Sequence, residues 1–143
     1  MVDPTKNTHN LKTDKSNKNL PSSLEEKLFQ GVATGVWIQL VGQLVEAASF
    51  SKIIHEKGDE ATDIEKGILL GIWISTIGTF LEAIGVSQQL TESSPERLLQ
   101  AQRLSASGNW VQALGAGVEA TNETAEIRQE EAGIIPPSTT LLP

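Results

Sequence analysis

Apolar residues in the middle of the chain recur three and four positions apart, the spacing of a helix that buries one side. The first series runs through Leu28, Val32, Trp37, Leu40, Val41, Leu44, Ala48 and Ile53 to Lys57, and Gly58 is placed to end it. Pro21-Ser22-Ser23-Leu24-Glu25-Glu26 reads as its start, with Ser22 as N-cap and Glu25 as reciprocal partner. Thr62-Asp63-Ile64-Glu65 has the same capping-box spacing and opens a second series through Trp73 and Glu82 to about Leu90. Ser94-Pro95-Glu96 opens a third, with Ser94 as N-cap and proline at the first helical position. It passes Leu98, Leu99, Trp110, Leu114 and Val118 and fades near Glu131, before Gly133, Pro136 and Pro137. The spacing therefore predicts helices over about 23–57, 63–90 and 95–131, within one domain covering 22–132. Short loops make neighbouring helices antiparallel. The expected fold class is all-α, an up-down-up three-helix bundle. Residues 1–21 have almost nothing to bury and are expected to be disordered; residues 133–143 read as a mobile tail.

The three helices are copies of one unit. GVWIQLVGQLVEA at Gly35 to Ala47 returns as GIWISTIGTFLEA at Gly71 to Ala83 and as GNWVQALGAGVEA at Gly108 to Ala120. Gly, Trp, Gly, Glu and Ala keep their places in each, and all three tryptophans of the chain lie there. The expected bundle is thus built from three repeats.

At roughly 100° per residue, the first, fifth, eighth and twelfth positions of the unit share one helix face. They are Gly35, Gln39, Gly42 and Glu46, then Gly71, Ser75, Gly78 and Glu82, then Gly108, Gln112, Gly115 and Glu119. The opposite face carries Trp37, Leu40, Val41 and Leu44, then Trp73, Ile77, Phe80 and Ile84, then Trp110, Leu114 and Val118. An ordinary amphipathic helix would bury these large residues as its core and leave the glycine stripe wet. A glycine inside an exposed helix costs about 0.5–1 kcal/mol against alanine, however, and gains nothing. Two recur per helix, with Gly31 and Gly67 four residues before the first of them in the first two copies. The stripe is therefore the candidate interaction face. It would pack closely on a second copy, a neighbouring helix, or helices meeting in a membrane. At matched heights, antiparallel helices set Trp37 level with Glu82 and Trp73 level with Glu46, which makes indole-to-carboxylate hydrogen bonds an expectation to check.

Composition narrows the function. The net charge is −7; residues 1–21 carry +2 from four lysines and two aspartates, which leaves −9 on the rest. An acidic body argues against nucleic acid as a partner. Cysteine is absent, so disulfides, thiolate metal sites and thiol catalysis are excluded. The N-terminus has no apolar stretch after its lysines, so the cytoplasm is the expected compartment. His55 sits beside Glu56 in a polar setting and reads as a surface residue. No Glu-x-x-His pair suits a di-metal carboxylate bundle. Glu46, Glu82 and Glu119 would form a carboxylate cluster only if all three stripes faced one axis, and a carboxylate metal-binding bundle is the third reading of the function after packing and membrane association. No nucleophile–base set and no phosphate loop is present, so no enzyme, no catalytic residue, no cofactor and no metal are expected. Leu28 to Val45 is free of charge over eighteen residues and Gly67 to Leu81 over fifteen, against about 20 for a spanning helix. A membrane-associated hairpin is the alternative to a packing protein.

The third copy, Gly108 to Ala120, resembles the repeated unit of an uncharacterised family of small repetitive bacterial proteins, best known from spore-forming bacilli, that carry tandem GNWxQAxGxxxEA units. The resemblance covers roughly residues 24–125; Val36 and Ile72 replace the Asn in the other copies, and the second lacks the Gln. It implies the repeat architecture and a bacterial source and brings no activity with it. The expected function is non-enzymatic: packing or self-association through the glycine and glutamate faces. The partner is the protein itself as a homo-oligomer, or another helical protein.

Overall fold

A computed structural model describes residues 22–133. They form three long helices, α1 (Ser22–Lys57), α2 (Asp63–Thr91) and α3 (Pro95–Glu131), with one 3₁₀ turn at Gly58–Glu60. There is no strand among the described residues. The chain runs up, down and up, as the short connections require. The expectations for residues 1–21 and for the tail beyond Gly133 lie outside the described residues.

The helix ends follow from local chemistry. Gly58 adopts φ +54°, a left-handed conformation that side chains resist, and turns the chain out of α1. At the start of α2 the capping box is complete: the Glu65 N–H donates to Thr62 Oγ1 at 3.1 Å, and the Thr62 N–H donates to Glu65 Oε2 at 2.9 Å. Lys57 Nζ, at the end of α1, donates to Glu65 Oε1, so one carboxylate ties both helices at the turn. Ser94 caps α3 by accepting from the Arg97 N–H at 3.3 Å, with Pro95 as the first helical residue. Ser22 is the first helical residue of α1, and its expected capping role falls at the edge of the described residues.

The helix α2 packs on both others, while α1 and α3 make no close backbone approach to each other. Its two neighbours are held in different ways. Against α1 the contact is made by aliphatic side chains: Val36 and Leu40 with Ala83, and Ala47 with Ile68 and Ile72 beside half-buried Phe50 and Ile64. Against α3 the buried residues are small: Gly71, Ser75, Gly78 and Gly85 on α2, and Ala101, Ser105, Gly108 and Gly115 on α3. Thr79 is fully buried, and its hydroxyl donates back to the Ser75 carbonyl at 3.1 Å. Thr76 does the same toward Ile72 at 2.8 Å, so neither hydroxyl is left unpaired inside the protein.

The core expected from the large apolar face is corrected. Only Leu40 of that set is buried, with Ile84 and Val118 half-buried. Trp37, Val41, Leu44, Trp73, Ile77 and Phe80 are 41–59% exposed, Leu114 is 65% exposed and Trp110 73%. Trp37, Val41 and Leu44 belong to α1, outside the α2·α3 contact; on α2 and α3 that contact is the cause. Backbones that touch through glycine leave no room for large side chains between them, so those side chains stand at the flanks.

Candidate interaction site

The stripes of α2 and α3 face each other across one seam. A Cβ added at Gly78 would stand 2.7 Å from the Gly108 carbonyl oxygen, and one added at Gly108 would stand 2.6 Å from the Gly78 oxygen. Gly71 and Gly115 are related in the same way, at 2.8 and 2.7 Å. Real Cβ atoms do not approach carbonyls so closely, so both pairs require glycine. The seam continues at Gly85, whose added Cβ would meet the Ala101 carbonyl at 2.8 Å. At the other end the Asn122 side chain closes over Gly67. Ser75 Oγ donates across the seam to the Gln112 carbonyl at 3.3 Å.

The register is symmetric. Numbered within the repeat, position one of each helix faces position twelve of the other: Gly71 meets Glu119, and Gly108 meets Glu82. Position five faces position eight: Ser75 meets Gly115, and Gln112 meets Gly78. The two helices are thus related by an approximate two-fold axis, and the stripe matches itself when turned end for end.

A second face of the unit joins α1 to α2, and it too is reciprocal. Trp37 Nε1 donates to Ser87 Oγ at 2.9 Å, and Trp73 Nε1 donates to Ser51 Oγ at 3.1 Å. Each serine lies fourteen residues beyond the tryptophan of its own helix. The glutamates level with the indoles are therefore not their partners; serines are. Ser51 and Ser87 lie beyond the thirteen-residue motif, although their repeated place after each tryptophan is visible in the sequence.

Among the described residues the first stripe has no partner. Nothing lies within 4 Å of a Cβ added at Gly31, Gly35 or Gly42, and Gly35, Gln39, Gly42 and Glu46 are all exposed. Ile38 and Val45 beside it are 68% and 62% exposed, and Val32 55%. The candidate face therefore divides: eight residues mate within the chain, and the four on α1 are open.

Glu82 and Glu119 stand at opposite ends of the α2·α3 seam, so the three stripe glutamates do not meet at one point. Asn109, with its amide nitrogen turned toward α2, donates to Glu82 Oε1 and Oε2 at 3.0 and 2.7 Å. Burial pushes the Glu119 carboxyl above its ordinary value, and the negative charges of Glu46 and Glu123 push it the same way. No group of three or more His, Asp or Glu residues among those described is placed to hold a metal ion. His55 is exposed. An open cleft of about 410 Å³, lined by Ser22, Glu25, Glu26, Phe29, Gln89, Leu90, Leu98 and Gln102, sits where α1 and α3 begin and α2 ends. It gathers the carboxylates of Glu25 and Glu26 and the amides of Gln89 and Gln102. No family model, no curated protein and no solved structure matches the chain.

Proposed function

We propose that this protein acts by packing: a non-enzymatic helical repeat of the bacterial cytoplasm that associates with itself through its glycine- and glutamate-lined faces. The same reading places it with the bacterial proteins built from tandem GNWxQAxGxxxEA units. One observation carries it. The repeat stripe is seated against its own copy in α2·α3, and an equivalent stripe with both glycines stands open on α1. Size-exclusion chromatography with light scattering tests it: a mass above that of the 15.4 kDa chain is expected. A clean monomer at high concentration removes it.

A second reading has its own support. The segments Ser22–Glu60 and Asp63–Thr91 are long and apolar enough to cross a membrane, with mean hydropathy of 1.3 and 1.7 in their best windows. Only 17% of the first window is buried within the chain. A membrane-associated α1–α2 hairpin would cover Ile38, Val41, Val45, Ile77 and Phe80 with lipid. Against it, interfacial helices usually carry lysine or arginine on their polar face, where these carry glutamate and glutamine. Flotation with neutral and anionic vesicles separates the readings. Protein left in the soluble fraction ends this second one.

A further inference from the structure

We infer that the open stripe of α1 takes the α1 of a second copy, antiparallel and in the register that α2·α3 displays, so that two chains form a closed six-helix dimer. The inference rests on the self-association reading and supplies its partner, face and register.

The template lies within the chain. The α2·α3 seam is made by the positions that stay open on α1, and its register is self-matching. A face that matches its own copy when reversed is what a two-fold dimer requires, because each copy presents the same surface. Applied to two α1 helices, the register sets Gly35 against Glu46 of the second copy and Gln39 against Gly42. Val32 then faces Ser49, as Ser105 faces Gly85 in the existing seam. The side chains are compatible. Gln39 repeats Gln112, which already lies over a glycine of the opposing helix, and Glu46 repeats Glu119. Glycine at positions one and eight is required where backbones meet and is a cost in open water. In α1 it stands in open water only while the chain is alone.

The far side of the molecule offers a poorer match. The face by which α1 and α2 join carries Val36, Leu40 and Phe50 on one helix and Ile72, Thr76 and Val86 on the other. The same positions of α3 are Asn109, Ala113 and Glu123. The apolar side chains of that joint are replaced by small and polar ones, and Asn109 already serves Glu82. Trp110 and Leu114 stay 73% and 65% exposed on α3, but the aliphatic positions of the joint are lost there, and α1 is the end that keeps the full set of its pairing positions.

The test uses the full chain. The wild type is expected at twice 15.4 kDa by light scattering. Gly42→Leu is expected to halve that mass with helical circular dichroism unchanged, since a Cβ at that position has nothing of the described chain within 4 Å. Gly117→Leu, at another helical glycine with nothing within 4 Å, is expected to keep the dimer. The absence of cysteine makes a register test clean. Chains carrying Val32→Cys, mixed with chains carrying Ser49→Cys, should form the mixed disulfide in preference to either like pair. An oligomer that survives Gly42→Leu overturns this interface and leaves self-association standing. Preference for the like pairs overturns the antiparallel register. A monomeric wild type overturns both the interface and the reading beneath it.

Discussion

A single residue type has two opposite energetic roles in this chain, and position decides which. Gly78 and Gly108 are held where a methyl group would strike a carbonyl of the facing helix. Gly35 and Gly42 occupy equivalent places in the repeat and meet nothing. Alanine at Gly78 or Gly108 is therefore expected to lower stability by about 1–3 kcal/mol, the usual cost of overpacking. Alanine at Gly42 is expected to raise the stability of the monomer by about 0.5–1 kcal/mol, through helix propensity alone. Urea titrations of the three variants check the sign reversal, with dilute protein for the third. The sequence marks these glycines by their recurrence and by the cost each would carry in an exposed helix. It could not say which stripe finds a partner inside the chain, because the three copies carry nearly the same residues. The large apolar face misled for a related reason: apolar bulk usually predicts burial, but here the closeness of two backbones displaces it.

At the scale of the helix, ends were more legible than faces. Capping chemistry is local, so Thr62, Glu65, Ser94 and Pro95 mark their boundaries within a few residues, and the structure places them as read. Facing requires knowing the neighbour, which no local pattern holds. Glu65 and two glutamates of α3 make the first turns of α2 sensitive to pH in opposite senses. Burial raises the Glu65 carboxyl, but hydrogen bonds from Lys57 and Thr62 and the Lys57 charge outweigh it, and the net shift is downward. Its contribution is present above the ordinary glutamate value and is lost as pH falls below it. Glu119 and Glu126 are shifted upward, first by burial and then by neighbouring carboxylates, with Lys57 opposing at Glu126. Their charged forms weaken the fold at neutral pH, and that penalty fades as pH falls toward the ordinary value. Stability should therefore pass through a maximum near pH ~4–5, around the ordinary carboxyl range. Urea midpoints from pH 7 downward measure it, and Glu119→Gln should reduce the rise on the neutral side.

For the molecule as a whole, the open face must be weighed against charge. Residues 22–143 carry −9, so two copies repel at a distance. Salt screens this repulsion over a Debye length of about 8 Å at physiological ionic strength, while contact through glycine and aliphatic groups is little affected. The mass measured by light scattering should therefore rise toward the dimer as sodium chloride is added to a dilute sample. A dimer held mainly by ion pairs would show the reverse trend.

The reciprocal register also makes the number of repeats matter. Each helix has two self-matching sides, and successive joints alternate between them, tryptophan side then glycine side. A chain with an odd number of helices must finish with unlike sides outward; one with an even number finishes with like sides. Three is odd, so this chain has a glycine side at one end and a tryptophan side at the other, and the substitutions in α3 have blunted the latter. A fourth helix joined through an intact tryptophan side would give glycine sides at both ends. By parity alone, one added repeat would turn a pairing protein into one that polymerises without limit.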